Sequence, residues 1–171
     1  MKKNLILLLI FSTTIMSFAQ QSSIKSFKGY FNFSYNEESG SITMEVKELN
    51  REFLYVSSLS SGIGSNDIGL DRGQLGGERI VKFIKTGNKL LLVQPNQDYR
   101  ALTDNELERN SIEQAFAKSV LFGFPIQQEK EGSYFIDITP FLLQDMHGVS
   151  NRLKQAGEGQ YNLDKTKSAI W

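Results

Sequence analysis

His147 is the one histidine in a chain of 171 residues that contains no cysteine, and this limits the metal chemistry the chain can do. A catalytic zinc site takes three protein ligands, usually with two histidines or a cysteine among them, and the metalloprotease helix needs His-Glu-x-x-His. A single imidazole cannot build either. His147, between Met146 and Gly148, reads as a surface or helix-entry histidine. Nucleophilic catalysis fares no better. Ser57, Ser58, Ser60, Ser61 and Ser65 are dense, but no Gly-x-Ser-x-Gly elbow surrounds them and His147 is the sole imidazole base. A serine-rich strand and loop accounts for them. No catalytic, cofactor-binding or metal-ligating residue is assigned.

The remaining chemical candidate is a loop. Six of the 14 glycines fall within the 16 residues from Gly62 to Gly77. Positions without a Cβ allow φ > 0 or close approach to another surface, and loops longer than about 12 residues within a domain are usually functional or disordered. Gly62, Gly64, Asp67, Asp71, Arg72, Gly73, Gly76 and Gly77 are therefore the candidate functional residues. The loop fails the phosphate tests, lacking both the dinucleotide glycine spacing and a following Gly-Lys-Ser/Thr. Asp67, Asp71 and Glu78 could offer oxygens to calcium, but their spacing fits no calcium motif, and backbone-bonded turn aspartates explain them. Asp71-Arg72 reads as a structural turn, with Arg72 or Arg79 pairing with a carboxylate.

Alternating patterns and turns define the elements that must hold this loop. Phe27 to Tyr35 and Ile42 to Val46 alternate with period two around the polar turn 36–40 and read as a hairpin. Phe53 to Leu59 is a third strand. After the loop, Ile80 to Lys85 and Lys89 to Val93 flank Thr86-Gly87-Asn88, a strong hairpin signal. Apolar positions at helical spacing predict a helix over about 111–122, entered through Ser111 and Gln114 or through Thr103 and Glu106, and ended by Gly123. Phe124 to Glu129 and Ser133 to Ile138 form another hairpin. Thr139-Pro140 predicts a helical turn, and a short helix is expected over about 149–155, ended by Gly157. The fold class is α+β: an antiparallel sheet of about seven short strands built from hairpins, with the main helix covering an apolar face.

Lys2 and Lys3, the seven apolar residues Leu5 to Phe11, and small residues at Ser17 and Ala19 have the layout of a signal peptide cleaved after Ala19. The expectation is export to the periplasm or beyond the cell, with residues 20–171 as a single domain and no membrane attachment after cleavage. Loss of Lys2 and Lys3 leaves 17 basic against 19 acidic residues, with no basic stripe for nucleic acid. An exported chain without cysteine has no disulfide framework and must rely on apolar burial. The end, Ala169-Ile170-Trp171, carries the chain's single tryptophan and reads as apolar core that continues beyond this point, not as the aromatic terminus of an outer-membrane barrel, since the expected helix interrupts any barrel pattern.

Four segments carry a resemblance. LYVSSLSSGIGSNDIGLDRGQLGGERIVKF (54–83), SIEQAFAKSVLFGF (111–124), IDITPFLLQD (136–145) and LDKTKSA (163–169) resemble, in this order, the N-terminal region of a family of secreted bacterial zinc-dependent metalloproteases. The resemblance implies a non-catalytic domain that supports or regulates a catalytic domain further along the same polypeptide, where the His-Glu-x-x-His helix and its zinc would lie. No zinc ligand carries over to this chain. The implied partners are that catalytic domain and a peptide or protein substrate. A free-standing periplasmic or extracellular binding module, using the glycine loop and nearby aromatics, is the competing expectation.

Overall fold

The computed structural model describes residues 23–64, 67–99 and 101–170. The leader segment and Trp171 lie outside them. Among the described residues eight strands form one antiparallel sheet: β1 (Ile24–Phe27), β2 (Asn32–Asn36), β3 (Ser41–Val46), β4 (Phe53–Tyr55), β5 (Arg79–Thr86), β6 (Lys89–Gln94), β7 (Ser119–Lys130) and β8 (Ser133–Asp137). Their spatial order is β1-β2-β3-β8-β7-β6-β5-β4. Together with a few short helices this is the α+β class expected from the hairpins.

The patterning explains the sheet. In β3, Ile42, Met44 and Val46 are buried while the residues between them are only partly covered, as a sheet with one face on the core requires. Hairpins join β5 to β6 through Gly87 and β7 to β8 through Glu131 and Gly132, whose φ values are positive. Register shifts between Leu92 and Val93 and between Ile126 and Gln128 mark irregularities that bend the ladder.

The sheet curls far enough for its two ends to meet. Phe31 precedes β2 and Phe53 opens β4, elements near opposite ends of the strand order, yet their rings lie 5.1 Å apart. From there ring contacts run through the concave side: Phe53 to Phe83 at 5.7 Å, Phe83 to Phe124 at 6.1 Å, and Phe124 to Phe141 at 5.8 Å. Each such pair adds about 0.5–1.5 kcal/mol to the apolar area it buries. Phe141 comes from α2 (Thr139–Leu142), which has the anticipated proline in its first turn. Thr139 ties this turn to the sheet, its N–H donating to Asp137 Oδ1 at 2.8 Å and its Oγ1 accepting the Ile42 N–H at 2.8 Å.

Several boundaries differ from expectation. The run from Phe27 to Tyr35 breaks at residues 28–31, giving two paired strands in place of the single expected one. The third strand is shorter, since residues 56–59 leave β5 after Tyr55. The main helix, α1, spans Glu106–Ala115, and Val120 and Phe122 belong to β7, where alternation suits β-branched and aromatic side chains. Neither proposed capping box starts α1. Asn105 is the cap, its side chain accepting the Leu107 N–H at 3.0 Å. α1 buries none of its residues and so does not cover the sheet. It is held beside Tyr99, whose ring stacks on Phe116 at 3.9 Å. The role assigned to it passes to α2 and Phe141.

Phe83 meets the rings of Phe31, Phe53 and Phe124 and is buried. Phe83→Ala should cost about 3–5 kcal/mol of stability, read from urea unfolding. Leu107→Ala, at a side chain 78% exposed on α1, should stay within about 0.5 kcal/mol of the parent.

Candidate functional site

The glycine loop is laced to Ser57–Leu59, the segment that follows β4. Leu59 N–H donates to Gln74 O at 3.0 Å, Gly73 N–H to Leu59 O at 2.6 Å and Gly76 N–H to Ser57 O at 2.8 Å, with Ser58 and Leu75 forming a bridge. A fully buried Leu70 anchors its middle. Gly62 is required by close approach: a Cβ there would lie 2.8 Å from Arg72 N and 3.0 Å from Leu70 O. Gly62, Asp71 and Arg72 are thus brought together as backbone. Asp71 O accepts the Gln74 N–H at 3.1 Å, which confirms a turn. Arg79 donates to Gln94 Oε1 at 2.8 Å, an amide and not the carboxylate anticipated. At Gly64, Gly73 and Gly77 a methyl group would meet no heavy atom within 4 Å, so these positions face open space. Among the described residues no group of three or more His, Cys, Asp or Glu side chains is clustered so that it could hold a metal ion.

Gly76 faces His147. A methyl on Gly76 would overlap the Ser57 hydroxyl and sit 3.5 Å from His147 Cε1. His147 does stand at a helix entry, since Gly148 is the N-cap of α3 (Val149–Gln155). It is not a surface histidine in the sense expected, because Nδ1 and Nε2 are both buried with no hydrogen-bonding partner among the described residues. An unsatisfied buried polar group costs about 1–3 kcal/mol.

His147 is a wall shared by two clefts. The larger, about 650 Å³, is bounded by Ser57–Leu59, by Leu142 and Gln144–His147, by Val149, Ser150 and Leu153 of α3, and by Tyr161–Asp164, Lys167 and Ser168. Its volume lies within the range of about 300–1,000 Å³ common for ligand pockets. The second, about 560 Å³, lies between α3 and Asp67 and Ile68 of the glycine loop. Arg152 of α3 fastens the loop, donating to Gly69 O at 2.8 Å and Ile68 O at 3.3 Å. A smaller cleft of about 180 Å³, with Tyr30, Glu45 and Arg51, sits where the sheet ends meet. Its charges are engaged: Glu45 accepts from Asn32 at 2.8 Å and Arg51 pairs with Glu48 at 2.8 Å.

The charges of the large cleft are engaged as well. Asp145 Oδ1 accepts the Val149 N–H at 2.7 Å and Oδ2 the Ser150 N–H at 2.9 Å, serving the free amides of the first turn of α3. Burial alone would raise its pKa, but the amides of Ser150 and Val149 outweigh it and hold the carboxyl below its ordinary value. Asp164 accepts the Thr166 N–H at 3.0 Å and hydroxyl at 2.6 Å and pairs with Lys167 at 3.3 Å; the Thr166 hydroxyl, then its amide, hold its pKa low. Asp145, Arg152 and Tyr161 were not among the sequence candidates. Asp145, four residues ahead of the helix start, carried a weak capping signal; Arg152 and Tyr161 carried none.

Asp145→Ala should destabilise the chain by about 1 kcal/mol at neutral pH. The folded carboxyl binds its proton less tightly than the unfolded chain does, whose value is near ~3.9. Its stabilisation is therefore present above that value and lost as pH falls through the folded pKa. Urea midpoints measured across acidic pH should fall less steeply for the variant. Gly62→Ala should lower the melting temperature, with a cost above about 1 kcal/mol, because backbone atoms occupy the site of its Cβ.

No curated protein and no solved structure matches the chain. A family match does exist: residues 73–170, from the last turn of the glycine loop through β5 to β8 and all three helices, match the domain of unknown function DUF5117. That span is more than half of the sequence and contains His147, Asp145, Arg152 and the C-terminal wall of the cleft, and the chain belongs to the DUF5117 family.

Proposed function

We propose that this chain is the non-catalytic N-terminal region of an exported zinc-dependent metalloprotease, and that it supports or regulates a catalytic domain elsewhere in the same polypeptide. One observation carries the reading. Of the four segments that resemble this protease family, three meet at the large cleft: Ser57–Leu59 from the first, Leu142, Gln144 and Asp145 from the third, and Leu163, Asp164, Lys167 and Ser168 from the fourth. Segments far apart in sequence that share both a likeness and a surface are what a common docking or regulatory role would produce. One histidine and no cysteine leave the chain without the ligands for a catalytic zinc, so zinc and peptide hydrolysis belong to the partner domain. The basic and apolar leader supports export.

A free-standing exported binding module is the second reading, favoured by the volume of the same cleft. The coding sequence after Trp171 separates the two: an open frame encoding His-Glu-x-x-His supports the first, and a stop codon in an intact gene overturns it. The purified chain should not digest casein with or without added zinc. Zinc-dependent cleavage by the chain alone, abolished by chelator, would overturn the non-catalytic assignment.

A further inference from the structure

The chain leaves β6 at Gln94 and enters β7 at Ser119, and these two residues are paired across neighbouring strands. Adjacent antiparallel strands are commonly joined by about 2–5 residues, so the excursion over residues 95–118 is far longer than the pairing of β6 with β7 requires. Its helix α1 buries none of its residues, and Tyr99 near its start stacks on Phe116 near its end. What the excursion builds against β5 is a pocket of about 330 Å³, within the size range of ligand sites. It shares no lining residue with the large cleft. We infer that this pocket binds a small organic anion, a carboxylate carried on an aromatic or apolar body, with Lys82 as its main counter-ion.

The charges of the lining are unbalanced. Lys82, Arg109 and Lys118 line the pocket together with a single carboxylate, Glu113, and that carboxylate pairs with Lys118 at 3.5 Å. Arg109 donates from one Nη to Thr103 O at 2.8 Å, and its guanidinium has further N–H donors to offer. Lys82 has no carboxylate and no hydrogen-bonding partner among the described residues. Its neighbours along β5, Val81 and Phe83, are buried in the aromatic core, so alternation sends its side chain to the opposite face of the sheet, where the residue is partly buried. A cation partly withdrawn from water gains from an anion placed beside it. Tyr99, Ile112 and Phe116 add apolar wall, which suits a flat hydrocarbon body better than a bare inorganic ion. A neutral ligand would leave Lys82 unpaired, and a cationic one would meet the excess of positive charge.

Titrating the full chain with 3-phenylpropanoate should shift the ring proton resonances of Tyr99 and Phe116 saturably, with an affinity that weakens as salt is raised. 3-Phenylpropanamide, its uncharged isostere, should bind at least about tenfold more weakly, and so should acetate, which keeps the carboxylate without the ring. Lys82→Gln should lose at least about tenfold in affinity for 3-phenylpropanoate with an unchanged melting temperature, since it removes a charge that no described residue pairs. Arg109→Gln, on the exposed helix, should weaken binding severalfold and provides a variant independent of the sheet. Unmoved Tyr99 and Phe116 resonances at millimolar 3-phenylpropanoate, equal binding of the acid and its amide, or undiminished binding by either folded variant would overturn the assignment.

Discussion

A curled antiparallel sheet has a concave side that must be filled, and in this chain aromatic rings fill it. Phe31 and Phe53 bring the two ends of the strand order together, Phe83 and Phe124 continue the contacts across the middle strands, and Phe141 closes the series from α2. Large flat side chains span more distance per residue than aliphatic ones, which lets a few rings bridge the concave side of a sheet of short strands. With no cysteine available, burial of this kind is what holds the chain together. The surface ion pairs, such as Lys85 with Glu129 and Lys25 with Glu37, are solvent-exposed and contribute little.

The same closure sets the position of the cleft. Once Phe141 is seated in the core, the chain leaving α2 passes beside the sheet, and Asp145 starts α3 by accepting its first free amides. α3 then lies against the glycine loop, to which Arg152 fastens it. His147 sits at the junction of these constraints, its backbone at the helix entry and its ring edge next to Gly76. Its two ring nitrogens are buried there with no hydrogen-bonding partner among the described residues.

Much of the architecture was legible in the chain. The hairpins around Gly87 and Gly132, the turn at Thr139-Pro140 and the helix over Val149–Gln155 all lie where local patterning placed them, because period-two alternation, proline at a helix start and glycine after a helix end act through neighbouring residues. The errors arose where local signals competed. Apolar residues from Ile112 to Phe122 fit a helical face, but Val120 and Phe122 pair with Val93 and Leu92 of β6, and a strand partner outweighs weak helical propensity. A helix that buries nothing was likewise invisible to a pattern that assumes every amphipathic face finds a core.

The sequence by itself determined the strand-forming stretches and their turns and the α+β class, since each follows from residue identity and short-range spacing, and it holds one histidine and no cysteine. The tertiary structure alone decided which of the candidate glycines approach other backbone, that both ring nitrogens of His147 are buried, and that Ser57, Asp145 and Leu163 share one cleft. Those facts depend on contacts between stretches far apart in the chain, and such contacts exist only after the aromatic core has curled the sheet and fixed where each stretch must pass.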